Sequence, residues 1–390
     1  MSNEYTIKLG DSAVLLKQIE SNSIDLVATD PPYGISFMGK DWDKTLPPPE
    51  IWKECFRILK PGATALIMTG SRLDCLSRLC IMLEDIGFET SHNALIWANR
   101  KGYPKGLDIS QGIDKKLGCK RKVIGTRKLT GTAKIKGMQG CATAGKGIKK
   151  EATYGIREEL EVTAPSSKEA IQYDGWFSHA KIKPAFEFIL RVRKPIDGEG
   201  EVDNILKWGV GGVNIKRCKL PIEDEDIGKP NIQEDGRMPA NIISTGGAMN
   251  EGNKYFDIDK WALQNNITED GWVEVAESGI LHFPKPSTSE KNIGIDEGVN
   301  DHPTCKPVRL FSFLCALFCP VGGTVVDPFM GSGTTGVGAI QTGNNFIGFE
   351  LSPEYYAIAQ KRLDFEQNLK YNNTMKKQLT LCDFEEEIEP

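Results

Sequence analysis

At 390 residues the chain exceeds what one ordinary hydrophobic core organises, so two domains, or one domain carrying a large insertion, are expected. Its 39% hydrophobic and 26% charged residues have the balance of a soluble globular protein, and no apolar run approaches membrane-spanning length. The start "MSNEYTIKLGDS" lacks the build of a signal peptide, and the net charge of −5 excludes a protein that is basic all over, so a cytoplasmic location away from membranes is expected.

Taken in order, "YTIKLGD" reads as a strand, "SAVLLKQIES" as a helix and "SIDLVATD" as a fully apolar strand. "PEIWKECFRILKPGA" has apolar residues at helical spacing and breaks at Pro61-Gly62 before the strand "TALIMTG". "SRLDCLSRLCIMLEDIGF" is a further amphipathic helix and "HNALIWA" a further strand. The pattern fails after Asn99. From 100 to about 300 the chain is rich in Gly, Pro, Lys and Asn, and only "AFEFILRVRK" and "DNILKWGV" read as ordered. Lys115 to Lys150 holds twelve Lys/Arg and no acid, a one-sign segment of the kind that meets a polyanion, whereas acid gathers at Glu223 to Asp226 and in the tail "DFEEEIEP".

Order returns at "CKPVRLFSFLCALFCP", then the strand "GGTVVDPF", the helix "GTTGVGAIQTG", the strand "NNFIGFEL" and the helix "SPEYYAIAQKRLDFEQ". Helices between buried strands indicate a mostly parallel, doubly wound α/β sheet. It is split into blocks 1–100 and 301–368 by a recognition region at 101–300, with an acidic tail at 369–390. The ten cysteines are scattered rather than framed for disulfides or zinc; Cys315 and Cys319 read as core residues of a greasy helix, and no metal is expected.

Two stretches carry chemistry. In "VVDPFMGSGTTG" a buried strand ends at Asp327, Gly331 and Gly333 permit a tight turn, and Thr334-Thr335 open a helix. One strand later Glu350 ends "NFIGFE", where a carboxylate can accept hydrogen bonds from ribose hydroxyls. The spacing is not that of a dinucleotide loop, and no Lys follows the glycines as in a P-loop. An acid entering the turn disfavours phosphate and suits a cationic ligand such as S-adenosylmethionine. The near P-loop from Gly140 to Lys146 has no strand leading into it and no Mg²⁺-binding hydroxyl, and reads as chance. The second stretch, "ATDPPYG", puts a charge, two prolines and an aromatic ring at the end of a buried strand.

"DPPY" followed by "HPTCKP" and "DPFMGSGTT" resembles the amino-group DNA methyltransferases that use S-adenosylmethionine, in the circularly permuted motif order called class β. The likeness covers roughly 5–100 and 300–365 and extends weakly through "IKPAFEFILRVRKP", "LKWGVGGVNI", "GRMPANII" and "FPKPSTSEKN", similar to phage and prophage-type members, although Phe186 stands where a tryptophan is expected. It implies a Rossmann-like sheet of seven strands. Asp327, Phe329, Gly331, Ser332, Gly333 and Thr334 would line the methionine moiety, and Glu350 would hold the ribose. Asp11 and Ser12 of "LGDS" would lie near the adenine, while His302, Thr304 and Lys306 would help close the pocket, with Asp30 facing it.

An exocyclic amine is a poor nucleophile because its lone pair is delocalised into the ring. Asp30 and the Pro31 carbonyl can accept its two N–H groups and localise that pair, while Pro31 and Pro32 fix the acceptors and Tyr33 stacks on an extruded base. The implied partner is duplex DNA, contacted by Lys115, Lys116, Lys120, Arg121, Lys122, Arg127 and Lys128. In "GISFMGKDWD", Gly34 and Gly39 bracket a loop whose Phe37, Met38 and Trp42 can cover the site or wedge against DNA. Asp30 favours adenine N6 over cytosine N4, whose enzymes usually have Ser there. An RNA methyltransferase and an inactive DNA-binding relative are the other readings, and a homodimer and a cognate restriction endonuclease are left open as partners.

Overall fold

The computed structural model describes residues 4–36, 39, 41–99, 106–128, 159–178, 182, 184–222, 228, 236–245, 257–265, 267, 291–295, 300, 302 and 304–386. The described residues form ten strands: β1 (Tyr5–Leu9), β2 (Ile24–Thr29), β3 (Leu59–Thr69), β4 (Leu95–Ala98), β5 (Lys122–Lys128), β6 (Glu159–Ala164), β7 (Phe186–Arg193), β8 (Ile242–Ser244), β9 (Thr324–Asp327) and β10 (Asn345–Glu350). The helices are α1 (Ser12–Leu15), α2 (Pro49–Ile58), α3 (Leu73–Ile86), α4 (Ile109–Leu117), α5 (Lys168–Gln172), α6 (Glu201–Trp208), α7 (Ile258–Gln264), α8 (Val308–Phe318), α9 (Thr334–Gln341) and α10 (Pro353–Glu386). No helix among the described residues is long and apolar enough to cross a membrane.

Eight strands form one sheet in the order β1-β10-β9-β2-β3-β7-β4-β8, and only β7 runs antiparallel to its two neighbours. The doubly wound α/β expectation holds, with one strand more than the seven foreseen. The addition is β8, three residues from the irregular middle, pairing in parallel with β4. Alternation along the strands divides the core between the two faces. Leu26, Ala28, Leu66 and Met68 pack with α8, every residue of which is buried, while Val27, Ala65 and Ile67 pack with Trp52 of α2 and Leu79 and Leu83 of α3.

The break read at Pro61-Gly62 is not a gap between elements. β3 starts at Leu59 and runs through it, because the β2–β3 register jumps from Ile24↔Leu59 to Leu26↔Thr64 and places both residues in an irregular bulge. Buried Asn204 of α6 donates to the freed Pro61 carbonyl, replacing a ladder bond. The helix read in "SAVLLKQIES" is also shorter than expected, one α-turn followed by a tighter turn at Leu16–Gln18.

The chain divides into two compact units, Met1–Gly102 with Pro184–Pro390, and Tyr103–Lys183. The recognition region expected at 101–300 is therefore not one body, since β7 and β8 belong to the large sheet and only 103–183 separates. The smaller unit is organised around Asp114 of α4, whose carboxylate accepts the Ser166 and Ser167 backbone N–H groups, the Ser167 hydroxyl and the Arg121 guanidinium. Burial would raise that carboxyl, but these donors hold it down at about 2. The acidic tail expected at 369–390 begins inside α10, which runs to Glu386.

Candidate active site

The parallel strands β1, β10, β9, β2 and β3 end along one edge of the sheet, the place where open α/β sheets bind ligands. Four acids follow or end these strands: Asp11 after β1, Glu350 on β10, Asp327 on β9 and Asp30 after β2. Two motifs some 300 residues apart meet here on the paired strands β2 and β9, and Thr29 Oγ1 donates to Asp327 Oδ1 at 2.5 Å between them.

Asp327 is buried and also accepts the Thr335 hydroxyl at 2.6 Å and the Phe329 N–H at 2.9 Å. Its carboxylate thus holds the glycine turn from beneath. Burial pushes it up to about 6 against the pull of these donors. At Gly331 the backbone has φ +54°, and an added Cβ would lie 2.9 Å from His302 Nε2, so only glycine fits between turn and imidazole. Glu350 accepts the Gly331 and Ser352 N–H groups, both at 2.8 Å, one on each oxygen. Burial raises its carboxyl, and each oxygen keeps acceptor capacity for a hydroxyl.

Ser332 and Thr334 were expected to line the ligand, but their hydroxyls turn inward. Both face Cys305 Sγ, at 3.5 and 3.4 Å, and Arg362 Nη1 donates to the Ser332 carbonyl and to Thr334 Oγ1. Phe329 packs against Trp52, ring centroids 5.9 Å apart, and Gly333 takes φ +83° at the start of α9. Asp11 caps α1 by accepting from Ala13 N, with Ser12 buried behind it, while the next residue back, Gly10, donates to the Glu350 carbonyl. His302 packs edge-on to Tyr355 at 4.4 Å beside Gly331, and Thr304 is half-buried next to Cys305.

Lys306, expected to help close the pocket, reaches toward the "DPPY" turn. Its ammonium lies 2.5 Å from Asp30 Oδ2 and 3.4 Å from Glu187 Oε2, with the Tyr33 ring beneath it. The Tyr33 hydroxyl is 2.7 Å from Asp30 Oδ1 and 3.0 Å from Glu187 Oε2, and Asn99 Nδ2 donates to Glu187 Oε1. Burial is the largest influence on Asp30 and raises its carboxyl despite Lys306. Burial would lower the Lys306 ammonium, but Asp30 and Glu187 outweigh it and the lysine stays charged. Tyr33 is pushed well above its usual range by burial and by the two carboxylates, so it remains a phenol.

Sequence reasoning missed Glu187 and Asp43. Glu187 stands on β7, where its signal is one acid inside the apolar run "AFEFILRV". Buried Asp43 accepts the Tyr33 and Gly34 N–H groups at 2.6 and 3.0 Å, so "DWD" folds back to clamp the "DPPYG" turn, whose Pro31 is itself buried. Trp42 of the same loop is exposed; Phe37 and Met38 lie outside the described residues, as does the segment from Gly140 to Lys146. In the smaller unit Lys115, Lys116, Lys120, Lys122 and Arg127 are exposed, and Lys128 ends β5. Arg121 differs from these basic residues: its guanidinium donates to Asp114, Ser110 and Thr163 within the unit.

Comparison with known proteins gives a consistent picture. The type II methyltransferase M.BglI of Bacillus subtilis is 35% identical over 101 residues, which is 26% of this chain and 26% of that protein, so the likeness covers about a quarter of its length. The type II methyltransferase M.HindIII of Haemophilus influenzae is 24% identical over 94% of this chain and 97% of its own. The solved PvuII DNA methyltransferase (cytosine-N4-specific) superposes with a TM-score of 0.45 at 17% identity, over 93% of this chain and 87% of that one. The family profile described as DNA methylase, for N6 and N4 enzymes, matches residues 145–361, more than half of the chain, which therefore belongs to the N6/N4 DNA methylase family.

Proposed function

We propose that the chain transfers a methyl group from S-adenosylmethionine to the exocyclic N6 amine of an adenine flipped out of duplex DNA. One observation carries this reading: the Thr29–Asp327 bond fixes the "DPPY" turn against the glycine turn, so an amine acceptor and a methyl-donor loop share one edge of the sheet. The residues fit the cofactor. A cradle that a Cβ at Gly331 would fill is floored by Asp327 and flanked by Glu350, an anionic setting that suits a sulfonium, an ammonium and ribose hydroxyls and repels phosphate.

When bound, S-adenosylmethionine supplies an electrophilic methyl group. The chain's own residues prepare the nucleophile. The Asp30 carboxylate and the Pro31 carbonyl accept the two N–H groups of the amine and draw its lone pair out of the ring. Asp43 holds the turn in shape beforehand, so little reorganisation accompanies the reaction. The Tyr33 face is the stacking surface for the base. Asp30, rather than Ser, at the head of the motif favours adenine N6; cytosine N4 is the second reading, because the matching family holds both N6 and N4 enzymes.

Incubation with labelled S-adenosylmethionine and plasmid DNA or RNA, followed by nucleoside mass spectrometry, tests this. N6-methyladenine in DNA is expected, and Asp30→Ala should lower turnover at least 100-fold, the scale of losing a preorganised acceptor. Label on cytosine N4, or only in RNA, would overturn the choice of substrate.

A further inference from the structure

One hydroxyl stands between two carboxylates. Tyr33 Oη lies 2.7 Å from Asp30 and 3.0 Å from Glu187, yet a phenol has a single proton to give. Lys306 is the cation of this group, so two acids share one ammonium and the cluster holds one negative charge in excess. The other Glu187 oxygen is tied to Asn99, which fixes the free one toward Tyr33. The groups facing Glu187 are thus Asp30, Tyr33, Lys306 and Asn99, with Asp43 behind Tyr33 and Asp327 beyond Asp30.

The geometry points to Glu187 as the final acceptor of the proton that the target amine sheds, reached from Asp30 through the Tyr33 hydroxyl. The inference rests on the methyl-transfer reading above. As the amine nitrogen bonds the methyl carbon, the carbon–sulfur pair returns to sulfur and the nitrogen is left with one proton too many. That proton moves to Asp30. The Tyr33 hydroxyl gives its own proton to Glu187 and takes one from Asp30, which is again an acceptor for the next amine. Charge is conserved throughout. Before transfer the cluster's excess negative charge faces the cationic methyl donor; afterwards the donor is neutral and the relayed proton neutralises the cluster. Asp30 touches the amine and is catalytic, whereas Glu187 acts through Tyr33 and positions the proton.

Glu187→Gln keeps the shape and one of the two acceptor oxygens but cannot take the proton. Its single-turnover methyl transfer should fall at least tenfold, with dissociation constants for S-adenosylmethionine and DNA within about twofold of wild type. The acid limb of its pH–rate profile should move to lower pH, because the Glu187 charge no longer raises Asp30. Glu187→Asp should recover part of the rate. Wild-type transfer by Glu187→Gln overturns the relay, and so does a loss of rate accompanied by lost ligand binding, which marks a structural role. A readout free of turnover is the carboxyl ¹³C titration of the protein without DNA. The relay requires the Asp30 titration to move when Glu187→Gln is introduced, and to lose that response in Tyr33→Phe; an Asp30 titration indifferent to Glu187→Gln overturns it. A wild-type protein that methylates no nucleic-acid amine would sink the functional reading while the titration still decides the relay.

Discussion

Asp327 shows what a single buried acid contributes to the pH response of the whole chain. Its carboxyl holds its proton more tightly folded than unfolded, at about 6 against an ordinary 3.8. The folded state is therefore favoured below pH 4, and that advantage is lost as pH rises through about 6, a contribution of order 3 kcal/mol. Urea unfolding should show Asp327→Asn gaining on the wild type between pH 4 and pH 7, because the amide keeps an acceptor for Phe329 without the buried charge; a constant gap across that range would refute the assignment. The acids themselves were legible in the sequence, each closing an apolar run. The bond between Lys306 and Asp30 was not, because it joins residues 276 apart and no local pattern encodes it. Glu187 was hard to read because β7 alternates Phe186, Phe188, Leu190 and Val192 with Glu187, Arg191 and Arg193, so its charge passed for that of an ordinary outward-facing strand residue.

The strands and helices of the two core blocks follow from their hydrophobic periods, and only boundaries moved. The bulge at Pro61-Gly62 looked like an interruption because proline and glycine also end elements, and only Asn204, far along the chain, reveals that the strand continues. β8 escaped notice because three residues, Ile242–Ser244, are too few to establish alternation. Two glycines let elements meet closely and give predictions at this scale. An added Cβ at Gly338 of α9 would lie 2.8 Å from the Ser312 backbone nitrogen of α8, so Gly338→Ala forces the helices apart and should lower unfolding free energy by about 1–3 kcal/mol in urea titration. Gly331→Ala meets both the left-handed backbone and His302. Calorimetry should show roughly tenfold weaker S-adenosylmethionine binding, from a penalty of about 1–2 kcal/mol; unchanged affinity would mean that this turn is not the cofactor cradle.

Across the whole molecule, charge is segregated rather than averaged, so a chain of net charge −5 still carries a strongly basic segment. If the exposed Lys115, Lys116, Lys122 and Arg127 each neutralise a phosphate, replacing all four by Ala should flatten the dependence of log K on log salt by about 0.9 for each phosphate no longer neutralised. An unchanged slope in fluorescence-anisotropy titrations would remove this face from the interface. The strand order has a consequence for synthesis. β9 and β10 lie between β1 and β2, and Tyr5 pairs with Phe346. β1 thus has no sheet partner until β10, the last of the described strands, has been made. A chain that stops short of β9 lacks the middle of its own sheet as well as the glycine turn, so Asp30 and Asp327 meet only after both core blocks have been made.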